Sequence, residues 1–250
     1  MDLPPVGLGT MGITDSEVVE TAIDAGYRHV DTAQIYENED VVGAGLAATD
    51  RETLTVATKL WTDSLAADTV RPSTEASLDR LGVASVDLLY VHRPRGDYDP
   101  GTTLPALDRV RGAGLTAHVG LSNFEPDQLR TASDHVAIDA HQVEFHPFFW
   151  QESLLDHAQR HDYPLVAYSP LAGGRVFDDP TIEAIAQSHD TTPAAVAIAW
   201  ATSYDNVVTI PKATSRVHLE ANLAAADLTL DSEDVARIEA IEREVELFPE

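Results

Sequence analysis

A closed (β/α)8 barrel of the TIM type is the α/β fold predicted for this chain of 250 residues. Three observations predict it. Eight apolar runs of strand length recur with helical patterning between them, the signature of repeated βα units and a parallel sheet. No linker rich in Ser, Gly or Pro divides them, so residues 1–250 read as a single domain of ordinary barrel length. The glycine-rich turn at 7–12 (GLGTMG) is not followed at once by a helix, as the fingerprint of an open dinucleotide-binding sheet would be.

The elements follow in order. The first run is 6–10 (VGLGT); Thr14 with Glu17 then forms a capping box, Val18, Ala22 and Ile23 give one apolar face, and Gly26 stops the helix. Runs two, three and four are 28–32 (RHVDT), 54–60 (LTVATKL) and 86–92 (VDLLYVH). Leu104, Leu107 and Val110 repeat the helical spacing, closed by Gly114. Runs five to seven are 117–122 (AHVGLS), 140–145 (AHQVEF) and 164–169 (PLVAYS). Thr192 before Pro193 opens a helix with Val196, Ala199 and Trp200 on its buried side, and 207–211 (VVTIP) is the eighth run. Val235, Ile238 and Ile241 carry an extra C-terminal helix over about 231–246, and an N-terminal hairpin is short or absent.

Charge narrows the function. The chain has 42 acidic and 16 basic residues, a formal net charge of −26, which repels nucleic acid and anionic membrane surfaces. The acids are spread along the chain as in TDSEVVE and DSEDVAR, and only two of the cations, Lys59 and Lys212, are lysines; this resembles the surface of proteins from extremely salt-loving organisms. No apolar stretch is long enough to span a bilayer, and MDLPPVGLGT has no secretion signal, so a soluble cytoplasmic protein, working as a monomer, is expected. The absence of cysteine excludes disulfides, thiolate metal sites and cysteine nucleophiles.

Polar residues end the predicted strands: Asp31, Lys59, His92, Ser122 with Asn123, Gln142 with Glu144, Tyr168 with Ser169, and Lys212 after the eighth. Any one of them is an ordinary turn or cap residue. A barrel brings them all to one rim, where such folds do their chemistry. An ammonium in that mouth is costly unless paired, and Asp31 is the carboxylate at hand. The pair beside Tyr36 is expected to lower the phenol's pKa and make it a general acid for a carbonyl oxygen, to which His92 adds a hydrogen bond.

With these residues in view, the chain resembles the aldo-keto reductase family nearly end to end. VGLGT, GYRHVDTAQIYENEDVVGAGL, VATKLW, LLYVHRP, HVGLSNF, HQVEFHP, AYSPLAGG and IPKATSRVHLEANL carry the resemblance, most closely to prokaryotic aldehyde and diketogluconate reductases. The resemblance implies NADPH-dependent reduction of aldehydes and ketones, with NADH as the alternative cofactor, a small carbonyl compound as partner, and a catalytic tetrad of Asp31, Tyr36, Lys59 and His92. It also implies Ser122, Asn123 and Gln142 on the nicotinamide carboxamide, Tyr168 stacked on the ring, and Ser169, Leu171 and Gly173 at the pyrophosphate. Gly9, Thr10 and Asp31 join the cofactor-binding set by the same resemblance. Lys212 then meets the 2′-phosphate and Asn222 the adenine.

Some positions depart from the family's pattern. Ala213 and His218 replace residues that often grip the phosphate, with Arg216 as the compensating cation, and Ala221 stands where a glutamate often meets adenine. Met11, Trp61 and Arg93 form the expected substrate pocket, Arg93 attracting anionic carbonyl compounds. The short loops and C-terminal tail imply an open pocket of broad selectivity. Two other functions compete: a Schiff-base aldolase using Lys59 as nucleophile, and a nicotinamide-binding regulatory protein without turnover. A metal site at Glu144 and His146 has too few ligands, so no metal is expected. His135, His157 and His189 read as solvated or packing residues, with His141 facing away from the rim.

Overall fold

The computed structural model describes residues 1–249. Eight strands pair in chain order: β1 (Leu8–Gly9), β2 (His29–Asp31), β3 (Thr55–Leu60), β4 (Val86–Val91), β5 (Thr116–Ser122), β6 (Ala140–Glu144), β7 (Leu165–Tyr168) and β8 (Val207–Thr209). Every neighbouring pair is parallel. A parallel bridge from Val6 to Thr209 closes the ring, with Gly7 N–H donating to Thr209 O at 2.8 Å and Thr209 N–H to Pro5 O at 2.9 Å. The closure is tight: a β-carbon at Gly9 would lie 2.5 Å from Ile210 O, so only glycine fits there. The fold is the (β/α)8 barrel that the alternating runs predict.

The helices are α1 (Ser16–Ala25), α2 (Glu39–Leu46), α3 (Val70–Leu81), α4 (Pro100–Gly112), α5 (Pro126–Ser133), α6 (Glu152–His161), α7 (Pro180–Ser188), α8 (Pro193–Thr202), α9 (Arg216–Ala224) and α10 (Ser232–Glu239). Gly26 ends α1 in the left-handed conformation, and Thr192 caps α8 by accepting from Ala195 N–H, both as the sequence predicts. The start of α1 differs: Asp15, not Thr14, is the N-cap, its carboxylate accepting from Glu17 N–H. The last helix differs too. α10 stops at Glu239, and residues beyond it run as irregular chain instead of continuing the apolar spacing to 246.

Side chains level with one another across a parallel pair face the same side of the sheet. Asp31 is level with Ala57, Lys59 with Tyr90, and Ser122 with Gln142, which sets these residues inside the ring. Ala57, Leu88, Tyr90 and Ala140 pack there as a small apolar cluster, with Met1 against it. Between sheet and helices lies the larger core, including Val30, Val56, Leu89, Val119, Val143 and the buried Trp200 of α8. Burying that outer core fixes each strand's register, because a slip of one residue would turn Lys59 outward into it. Among the described residues no helix is long and apolar enough to cross a membrane.

Candidate active site

β2 ends in Asp31 and β3 carries Lys59, and the barrel buries both almost completely. The Lys59 ammonium forms an ion pair with Asp31 Oδ1 and donates to Thr32 O at 2.9 Å; Gln142 Nε2 donates to Asp31 Oδ2 at 2.8 Å. Both carboxylate oxygens therefore have donors. Burial works to lower the Lys59 pKa, but Asp31 and then Tyr36 outweigh it and leave it raised. The amine stays charged, which opposes its use as a Schiff-base nucleophile.

A 3₁₀ turn, Gln34–Tyr36, follows β2 and carries Tyr36 to the cavity. Gln34 holds that turn in place. Its Nε2 donates to Ser73 O at 3.2 Å and Ser77 Oγ at 3.1 Å on α3, while its Oε1 accepts from Trp61 N–H at 2.8 Å. Asn38 ties the same loop to the first by donating to Thr10 O at 2.8 Å and Ile13 O at 3.0 Å. Tyr36 thus stands with its ring centroid 5.2 Å from the Lys59 ammonium. The expected lowering of the Tyr36 pKa is corrected here: burial raises it, and Lys59 offsets only part of that.

His92 follows β4, with ring centroids 5.9 Å from Tyr36 and 5.0 Å from Trp61, both edge to face. Burial, then the positive charges of Lys59 and Arg93, pull its pKa down to about 2, so the imidazole is neutral. Asn123 sits after β5 with a positive φ of 60°. It links three strand ends: its Nδ2 donates to His92 O at 2.9 Å and Ser122 Oγ at 3.0 Å, and its Oδ1 accepts from Tyr168 OH at 2.9 Å. Beyond β7, Ser169 and Gly173 take left-handed backbone conformations in a loop that curls over the rim.

One cavity of about 410 Å³ collects these groups. It is lined by Gly9, Thr10, Met11, Asp31, Tyr36, Trp61, His92, Arg93, Asn123, Gln142, Tyr168, Ser169, Leu171, Gly173 and Lys212, along with five residues not foreseen from the sequence: Ile35, Pro170, Gly174, Ile210 and Phe248. The model of the aldo/keto reductase family matches residues 5–243. The chain belongs to the aldo/keto reductase family. Over 97% of its length it is 37% identical to methylglyoxal reductase DkgB from Salmonella typhi, covering 94% of that protein. An aldo-keto reductase from a Medee basin deep-sea metagenome library superposes with a TM-score of 0.94 at 30% identity, covering 100% of this chain and 95% of that one. An aldo/keto reductase from Brucella melitensis gives a TM-score of 0.88, also at 30% identity, covering 94% of each chain. The family is one of carbonyl-reducing oxidoreductases.

Against the family's pattern, three residues expected at the cofactor do not line the cavity. Ser122 is buried behind Asn123. Asn222 is buried within α9, and Arg216 at the start of that helix pairs with Glu220 at 3.2 Å and Asp24 at 3.8 Å at the surface. Arg93, expected in the substrate pocket, is buried and lines the cavity with Met11 and Trp61. The C-terminal tail, expected to be short and to leave the pocket open, reaches the mouth and places Phe248 in the lining. Glu144 and His146, weighed as metal ligands, bond to each other at 2.9 Å, Glu144 also accepts from that tail, and Gln142 turns to Asp31 instead of joining them. His157 and His189 have local partners, Tyr163 at 2.7 Å and Asp234 at 2.7 Å. Gln34, Ile35, Pro170, Gly174 and Ile210 lie within the motifs quoted above, near residues singled out there; Phe248 lies outside all of them.

Proposed function

We propose that the protein reduces aldehydes and ketones to alcohols with NADPH, and that Asp31, Tyr36, Lys59 and His92 are its catalytic residues. The observation that carries this reading is their convergence: the Tyr36 phenol, the Asp31 carboxylate and the neutral His92 imidazole line one cavity, and the Lys59 ammonium, fully buried behind them, pairs with Asp31 and lies 5.2 Å from the centre of the Tyr36 ring. When bound, NADPH supplies the hydride that the carbonyl carbon accepts. Tyr36 gives the proton to the oxygen, its O–H bond breaking as the alcohol O–H forms. Lys59 stabilises the phenolate left behind, and Asp31 keeps Lys59 charged and aimed. His92, being neutral, donates a hydrogen bond through its one N–H without competing as an acid.

The lining fits that cofactor. Asn123 and Gln142 offer amide groups to a carboxamide, Tyr168 offers an aromatic face, and the loop after β7 brings Ser169, Leu171 and Gly173, each with a backbone N–H of the kind that meets pyrophosphate, to the lining. Lys212 is exposed, lines the cavity and has no ion-pair partner among the described residues, which suits a 2′-phosphate in a protein this acidic. The test is a screen of the purified protein with methylglyoxal, aromatic aldehydes, diketones and keto-sugars, each with NADPH and NADH. Nucleotide oxidation with no carbonyl substrate, under any condition, would sink the reading.

We also propose that the acidic surface is an adaptation to high salt. Crowded carboxylates repel in dilute buffer and are screened within about 3 Å at 1 M salt. The melting temperature is expected to rise from dilute buffer to molar KCl. A flat or falling curve would contradict the proposal.

A further inference from the structure

β6 ends in Glu144, whose side chain is only 3% exposed although it sits at the barrel mouth. A buried carboxylate needs its lone pairs filled. Here the donors come from the far end of the chain: Leu247 N–H reaches Oε1 at 2.7 Å and Phe248 N–H reaches Oε2 at 3.1 Å. His146 completes the grip. Its Nδ1 accepts from Phe148 N–H at 3.2 Å, so its proton sits on Nε2, which donates to Glu144 Oε1 at 2.9 Å.

The tail is tied down upstream as well. Val245 N–H donates to Phe148 O at 2.9 Å, and the Arg243 guanidinium lies 5.2 Å from the centre of the Phe148 ring. Leu247 comes to rest beside Gly173, its methyl 3.5 Å from where a β-carbon would stand. Phe248 meets Tyr168 edge to face, centroids 5.8 Å apart, and joins Met11, Ile35 and Trp61 in the cavity lining. Met11, Ile35 and Phe248 are among the few large apolar side chains left exposed, so this wall is open to a ligand.

We propose that Glu144 is a specificity-positioning residue. By holding the Leu247 and Phe248 amides it fixes the Phe248 ring as part of the cavity wall, and that wall selects carbonyl compounds bearing an aryl or similarly large apolar group. The inference rests on the carbonyl-reductase reading above. It assigns Glu144 no contact with substrate; the carboxylate acts through the tail.

The test compares kcat/KM for benzaldehyde and for methylglyoxal in the parent, Glu144→Gln, Phe248→Ala and the double variant, with amide hydrogen exchange at 247 and 248. In Glu144→Gln an amide N–H2 replaces one acceptor and faces an N–H donor. Its 247 and 248 amides are expected to exchange faster than the parent's, and its benzaldehyde-to-methylglyoxal ratio to fall about tenfold, the low end for a lost apolar pocket contact. Phe248→Ala, a change at an exposed side chain outside the buried core, is expected to lower the ratio equally, and the double variant no further. A ratio that holds steady in either single variant, or losses that multiply in the double, overturns the proposal. A parent inactive on both aldehydes instead removes the reductase reading beneath it.

Discussion

Gln142 on β6 and Asp31 on β2 meet across the barrel, Nε2 donating to Oδ2 at 2.8 Å. The relationship holds the carboxylate in place. With Lys59 on its other oxygen, both oxygens of Asp31 have donors, and Asp31 with Tyr36 keeps the fully buried ammonium's pKa above its ordinary value. Taking away one member would strand the other.

Lys59→Met is therefore expected to destabilise the fold by about 3–5 kcal/mol, the usual penalty for leaving one half of a buried ion pair uncompensated. Adding Asp31→Asn should recover part of that loss, since a neutral amide can still take the Gln142 hydrogen bond. Denaturant unfolding of the two variants measures both effects. A single variant as stable as the parent would show that the pair is dispensable to the fold.

Tyr36→Phe keeps the ring and removes only the proton donor. Carbonyl reduction is expected to fall by at least about a hundredfold, the lower range for a lost general acid, with NADPH binding retained. The pH profile gives an independent check. Because burial raises the phenol's pKa, the protonated form that reduction needs persists above pH 10, so kcat/KM for reduction should decline only on that far alkaline side. A decline centred near neutrality would mean that another group is the acid.

Much of this was legible before the fold was known, because the two strongest constraints are local. Alternation around Lys59 put it on the inner face, and an inward ammonium required Asp31 nearby; the register Asp31 with Ala57 and Lys59 with Tyr90 delivers both. Tyr36 was placed correctly by following the same strand end. Its pKa direction was not, since desolvation depends on everything packed around a side chain and no motif encodes it. Phe248 was illegible for a related reason. Its place in the lining depends on Glu144, 104 residues earlier in the chain, and neither residue's surroundings suggest the other.

Histidine burial makes the fold sensitive to acid. Burial pulls His29 down to about 4, partly opposed by Asp31, and His141 to about 3. These values lie below the unfolded value of about 6.5, so the unfolded chain binds more protons between them. The neutral rings thus stabilise the fold fully above roughly pH 6.5, and that contribution is lost as pH falls toward 4, by up to about 1.4 kcal/mol per pH unit for each ring. His29→Leu, which removes a ring whose two nitrogens have no partner among the described residues, is expected to flatten the slope by about one proton. Unfolding free energies measured from pH 7 to 4.5 test this; parallel curves for parent and variant would refute it.

Lys212 offers the sharpest test of cofactor choice, because NADPH and NADH differ by one phosphate. The lysine is exposed at the cavity edge and has no ion-pair partner among the described residues, whereas Arg216 pairs with Glu220 and Asp24. Lys212→Ala is expected to raise the dissociation constant for NADPH about ten- to a hundredfold, the worth of one charged hydrogen bond of roughly 1.5–3 kcal/mol, and to leave that for NADH nearly unchanged. Arg216→Ala should change either constant far less. Salt should shrink the Lys212 effect, since dissolved ions screen the attraction between an exposed ammonium and a phosphate. Titrations of both nucleotides at low and high KCl read all of these. Equal weakening of NADPH and NADH would mean that Lys212 supports its loop and reads no phosphate, and the proposed preference for NADPH would lose its main support.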